Sequence, residues 1–315
     1  MPDPTVTDAG RLLVGHWTDL EAATGCTVVL GPADGMRAAG YVRGRATGTR
    51  EFDALSPRHI VPRIHAILLA GGSAFGLGAA DGVMRWLAER DRGFPVGVAS
   101  VPIVPSAVVF DLAPLGRHDR WPGPDEGYAA CEAATATVIE GSVGAGTGAT
   151  VGKARGHRHA MKGGVGSWSV RAGDVVVGAL AVVNAFGDVR DAAGRILAGA
   201  RGNDGFTDAR ALLAAGGAVG APFGHTTLVV VATNGDLDRP ALAEVARAAA
   251  DALSWRITPV GTAVDGDVVF AVATGDIPVG SPVMAELLAQ DATAMAIERA
   301  VMRARGAAEV PGLAD

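Results

Sequence analysis

Several runs in this chain hold an uninterrupted apolar stretch without polar alternation, and most of them are rich in valine. They are the "HAILLAGG" run at 65–72, the "GDVVVGALAVVNAFGDV" run at 173–189, Leu228-Val229-Val230-Val231-Ala232, and "DVVFAVAT" at 267–274. A strand turns successive side chains to opposite faces. A run without polar alternation must therefore be covered on both sides. Between the runs lie stretches of helical spacing rich in alanine. Interleaved strands and helices with two apolar strand faces predict a single layered α/β domain over 1–315, its sheets covered by helices.

Composition narrows the function classes. Forty-five glycines in 315 residues is about twice average usage, and with few aromatics it points to close layers and tight turns. The 27 basic and 33 acidic groups leave a net charge of −6, so no nucleic-acid partner is expected. The N-terminal stretch lacks a basic region followed by an apolar signal core, and no run approaches the ~18 apolar residues of a membrane helix. No membrane partner is expected, and the default location is the cytoplasm. Cys26 and Cys131 have no metal-like spacing and read as buried thiols.

Along the chain, "GCTVVLGPADGMRAAGYVRG" reads as two short strands around a turn at Pro32–Gly35, and "SAFGLGAADGVMRWLAERDRG" as a helix stopped by Gly93. "VVFDL" is a short strand. "DEGYAACEAATATVIEG" is an alanine-rich helix with a small face. Asp238 and Pro240 open a helix with Leu242, Val245, Ala246, Ala249 and Leu253 on one face. A last helix spans roughly 285–305. The stretch 213–225 is a candidate linker just ahead of Thr226.

The glycine run at 141–156 matches neither a Walker loop nor a dinucleotide fingerprint, so no cofactor is expected. It reads as tight turns, or as backbone amides lining an anion site beside Lys153. His157 and His159 stand two apart without a nearby third ligand, so no metal is expected. Ser73 falls between a strand and a helix but misses the nucleophile-elbow pattern; it is better read as a helix N-cap. Asp265-Gly266-Asp267 is either a plain turn or a carboxylate pair able to orient a hydroxyl and an amine. Asn184 either closes a turn or offers an amide N–H to an oxyanion. Thr226 and Thr227 stand at the mouth of a core strand, where threonine is ordinary but where a hydroxyl would also be held rigidly.

The segments "TGCTVVL", "GTREFDAL", "HAILLAGGSAFGLGAADGVMRWLAERDRGFPVG", "GSVGAGTGATVGK", "AMKGGVGS", "VVVGALAVVNAFGDV", "HTTLVVVATN" and "DGDVVFAVATGD" occur together and in order. They resemble the L-aminopeptidase/D-esterase (DmpA-type) family of self-processing, N-terminal-nucleophile-like hydrolases. That family includes β-peptidyl aminopeptidases and nylon-oligomer hydrolases. The likeness covers about residues 20 to 275. It implies a four-layered αββα sandwich and a homo-oligomer, with a tetramer expected.

The resemblance further implies a cut between His225 and Thr226 into chains 1–225 and 226–315, with Thr226 as nucleophile for a small amide, peptide or ester. Asp265 and Asp267 match an acidic pair that orients the threonine. Lys153 matches a charge partner and Asn184 an oxyanion donor. Two departures stand out. His225 replaces asparagine before the cut, and Lys153 occupies a region where the aminopeptidase branch carries an acid suited to a substrate ammonium. A lysine there would repel that ammonium, which tilts the expectation toward amidase or endo-acting use. Two alternatives stay open: acyl (acetyl) transfer by the same threonine chemistry, and an unprocessed binding protein.

Overall fold

A computed structural model describes residues 3–217 and 224–315. Two five-stranded sheets lie face to face. The first has the order Leu13–Asp19, Thr24–Leu30, Ala66–Ala70, Ser106–Val108, Thr49–Arg50. The second has the order Gly164–Ala172, Val175–Asn184, Thr226–Gly235, Val268–Ile277, Arg37–Val42. Helices α1 (Ala79–Ala88) and α2 (Pro124–Glu132) cover the first sheet. Beyond the short α3 (Ala209–Ala214), α4 (Arg239–Arg256) and α5 (Pro282–Met302) cover the second.

Three cores separate these four layers, and one strand shows why every position had to be apolar. Leu228, Val230 and Ala232 point into the core between the sheets. Val229 and Val231 point into the core under α4 and α5. A third core joins α1 and α2 to the first sheet and holds Cys26 and Cys131 as free buried thiols. Fully burying a valine or leucine side chain contributes about 1.5–3 kcal/mol, so a polar residue on either face would be costly. The expected αββα sandwich is the observed one.

Local signals fared unevenly. Asp238 caps α4 by accepting the Ala241 amide at 2.9 Å, with Pro240 in the first turn. The strands on either side of the Pro32–Gly35 turn do not pair with each other: Thr24–Leu30 joins the first sheet and Arg37–Val42 the second, so this turn links the layers. The α2 helix stops at Glu132, short of the expected extent, because Thr135 leaves to bridge Val14 through paired backbone bonds of 2.8 and 3.0 Å. The strand expected at "VVFDL" ends at Val108, and Asp111 turns into the interior. Of the candidate linker, 218–223 lie outside the described residues.

The small face expected of α2 is where it meets α1. A Cβ on Gly127 would collide with the Ala79 carbonyl, and one on Gly82 with the Pro124 carbonyl. Gly127→Val should therefore destabilise the fold by about 1–3 kcal/mol through overpacking, read as a lower thermal midpoint. An unchanged midpoint would show that the helices can separate freely.

Candidate active site

Strand pairing assembles the site. Thr226–Gly235 pairs antiparallel with Val175–Asn184, which sets Asn184 opposite Thr226. It pairs parallel with Val268–Ile277 through Leu228↔Val268. Parallel strands begin at the same end, so the residues just ahead of Val268 lie beside those just ahead of Leu228. His225 accordingly bridges Asp265. Lys153 arrives along the turn that follows Asn184, its amide donating to the Phe186 carbonyl at 2.9 Å. Thr226, Asp265, Asp267, Asn184 and Lys153, far apart in sequence, thus meet at one end of one sheet. All five are 5 % exposed or less.

Leu228, Val230 and Ala232 face the gap between the sheets, and Thr226 shares their parity. It opens on a cavity of about 230 Å³ lined by Ala46, Ser73, Val108, Phe110, His225 and Val264, among others. A larger cleft of about 770 Å³, lined by Asp3, Asp8, Glu140, Arg303 and Arg305, contains none of these residues.

Two donors converge on the carbonyl oxygen of His225. The Thr226 hydroxyl donates to it at 2.6 Å and the Gly266 amide at 2.8 Å. A carbonyl polarised this way is an activated electrophile, and a backbone N–H so aimed is the element from which oxyanion holes are built. Asp267 accepts the amides of Thr227 (2.7 Å) and Gly261 (3.2 Å), and Asp265 accepts that of Thr262 (2.7 Å). Asp267 therefore fixes the backbone just after the threonine, and both carboxylates fix the 261–262 turn beside it. Lys153 Nζ donates to the Asn184 carbonyl (3.0 Å), Asn184 Oδ1 (2.9 Å) and the Gly224 carbonyl (3.1 Å). Asn184 Nδ2 donates to the carbonyls of Phe110 (2.9 Å) and Gly224 (3.1 Å). In the intact chain Lys153 and Asn184 thus grip the carbonyl of Gly224, one residue upstream of the one beside Thr226.

Burial dominates the electrostatics. It pushes Lys153 down to about 7, against the pull of the Asp265 charge. It pushes Asp267 up to about 7, helped by the negative charge of Asp265. Asp265 is raised as well, again by burial, while the Thr262 hydrogen bonds and Lys153 draw it back. Strongly shifted buried groups clustered beside a cavity are a common mark of a functional site.

Some expectations resolve differently. The glycine-run amides of Gly144, Ala145, Gly146, Thr147, Ala149, Thr150, Gly152 and Lys153 all bond within the fold. They therefore line no anion site, and the tight-turn reading holds. Ser73 is no N-cap: that place is Gly72, without a side-chain cap, and Ser73 lines the cavity instead. Among the described residues no group of three His, Cys, Asp or Glu could hold a metal, and no helix is long and apolar enough to cross a membrane. The Gly266 amide is a contact that sequence reasoning did not find. Its only signal was the glycine between the two acids, which any turn would explain.

Peptidase family S58 matches residues 5–313. The chain belongs to that family. It is a hydrolase, of the L-aminopeptidase/D-esterase kind. An uncharacterized aminopeptidase of Mycobacterium tuberculosis is 43% identical over 294 residues, spanning 87% of this chain and 83% of its own. A 6-aminohexanoate-oligomer endohydrolase of Agromyces sp. is 33% identical over 270 residues, spanning 82% and 71%. The solved L-aminopeptidase D-Ala-esterase/amidase of Ochrobactrum anthropi, a variant of the Ntn hydrolase fold, superposes with a TM-score of 0.76. It is 19% identical and covers 100% of this chain and 92% of its own. The S58 fold is therefore the αββα sandwich described above.

The raised Asp267 makes a signed prediction. Between the ordinary carboxylate value of 3.8 and about 7, the folded protein keeps a proton that the unfolded chain has lost. Its contribution to stability is complete at low pH and is lost as pH rises through that window. In an uncut Thr226→Ala background, Asp267→Asn should gain stability relative to its parent as pH goes from 4 to 7. Chaotrope unfolding across that range checks this, and a pH-independent difference would contradict it.

Proposed function

We propose that this chain cuts itself between His225 and Thr226, and that the freed Thr226 then hydrolyses amide bonds. The observation that supports this best is the convergence of the Thr226 hydroxyl and the Gly266 amide on the His225 carbonyl oxygen. Attack of Oγ on that carbonyl carbon would form a tetrahedral oxyanion beside the Gly266 N–H. Collapse breaks the C–N bond, leaving an ester on Oγ and a free α-amine on Thr226. Water then releases residues 1–225 from 226–315.

The new amine supplies the base that a threonine hydroxyl lacks. An α-amino group at a chain terminus ordinarily titrates at ~7.7–8.0, so part of it is neutral near physiological pH and lies on the nucleophile's own residue. In turnover the substrate carbonyl would occupy the place of the His225 carbonyl. The same Gly266 N–H would then stabilise both reactions. Departure of Gly224 would free Lys153 and Asn184 to hold the substrate, with Asp265 and Asp267 keeping the threonine in register.

Substrate class follows from the walls. The described residues lining the cavity carry no carboxylate, and the basic group buried beside it is Lys153. A neutral amide fits these walls better than a free terminal ammonium. This favours amidase or endo-acting use, in keeping with the endohydrolase name of one relative. A homo-oligomer, tetrameric by the family resemblance, and a cytoplasmic location belong to the same reading.

Thr226→Ala should remain a single chain and lose amide hydrolysis by at least about 10³-fold, near what losing a nucleophile costs other hydrolases. Full turnover by that variant would refute the role of Thr226. Gly266→Ala should slow self-cleavage by about 10²-fold. Its Cβ would come within 2.6 Å of the Ala46 carbonyl and 2.7 Å of Thr226 Oγ, displacing the N–H. Cutting at the unaltered rate would remove Gly266 from the account.

A further inference from the structure

Ser73 comes to the cavity from the other sheet, at the end of the Ala66–Ala70 strand, and lines it together with Thr226. Its backbone is left-handed, at φ +54, directly after Gly72 at φ +80. A non-glycine residue held there costs about 1–3 kcal/mol and persists only where its surroundings impose it. Glycine would adopt the same conformation without strain. What serine adds is a hydroxyl, and that hydroxyl has no protein partner among the described residues.

The surroundings that impose the conformation are specific. The Gly72 amide donates to Asp111 Oδ1 at 2.6 Å and the Ser73 amide to the Val109 carbonyl at 2.9 Å. A Cβ on Gly72 would collide with Trp121, whose ring stacks on Phe75 at 4.4 Å. Asp111 is fully buried and also accepts the Thr24 hydroxyl at 2.7 Å. The buried Lys162, held by the carbonyls of Thr147 (2.7 Å) and Ala149 (2.8 Å), contributes an opposing charge. Burying two such ions carries a desolvation penalty of several kcal/mol each, yet neither lines the cavity. Asp111 holds the loop that presents Ser73, and Lys162 holds the neighbouring 147–149 turn, which packs against Asp111.

We propose that Ser73 is a second hydroxyl of the active site, aligned by Asp111, which accepts the N–H of the substrate amide being cut. A hydroxyl both donates and accepts, so it suits a neutral peptide group in a cavity without charged walls. Ser73 is then a residue that distinguishes amides from esters, and Asp111 is a positioning residue acting through Gly72. This rests on the reading of Thr226 given above.

The test uses the self-cut enzyme with a p-nitroanilide and a p-nitrophenyl ester of the same acyl group. Ser73→Ala keeps the strained backbone without the hydroxyl, and Ser73→Gly removes the strain as well. Both should still cut at His225–Thr226, lose about tenfold in kcat/KM on the anilide, and stay within about twofold of the parent on the ester. Asp111→Asn should show the same anilide-selective loss, and Ser73→Ala/Asp111→Asn should lose no more than either single variant. Parental anilide activity in either Ser73 variant, or equal losses on both substrates, would overturn the role of Ser73. Additive losses in the double variant would overturn the link to Asp111. A parent that neither cuts nor hydrolyses the anilide would instead refute the Thr226 reading itself.

Discussion

The candidate site depends on one strand register. Among the described residues, Thr226–Gly235 is the strand that pairs with both the Asn184 strand and the strand that follows Asp265–Asp267, antiparallel to one and parallel to the other. That mixed pairing brings two strand beginnings and one strand end to the same end of the sheet. A slip of one residue would exchange the faces of the strand. Leu228, Val230 and Ala232 would then leave the inter-sheet core, and the Thr226 hydroxyl would point toward the α4–α5 layer instead of the cavity. The packing that fixes the register, alternate valines into two different cores, thereby also fixes the hydroxyl.

The second constraint is the absence of water around charged groups. Lys153, Asp265 and Asp267 are each 2 % exposed or less, and burial moves all three toward their neutral forms. Three acceptors hold the lysine, and backbone amides hold both acids, so none is left unsatisfied at its functional atoms. Such groups stiffen the backbone around the threonine. The chemistry proposed for the precursor and for the mature enzyme uses the same carbonyl position, so a single rigid arrangement can serve both.

Much of the architecture was legible because it rests on patterns with a direct physical meaning. All-apolar runs required two covered faces, and the Asp238–Pro240 start of α4 followed from capping. The Pro32–Gly35 turn looked local, yet its strands went to different sheets, since nothing in a turn records which layer its flanks will join. The end of α2 at Glu132 was hidden because Thr135 is claimed by a distant strand edge. At the site, Thr226 was visible from its place at the mouth of a core strand together with the family resemblance. Asp265 and Asp267 were visible only as one of two readings. The Gly266 amide was invisible, being backbone. Ser73 reads as a cap in the sequence because its left-handed conformation is imposed through Gly72 by Asp111, 39 positions further along the chain.

The central claim is that the peptide bond between His225 and Thr226 is the enzyme's first substrate. Intact-mass spectrometry of the purified wild-type protein under denaturing conditions tests it most directly. The account predicts two species whose masses correspond to residues 1–225 and 226–315, the second beginning with an unmodified threonine amine. A single full-length species that persists on prolonged incubation at neutral pH would contradict it.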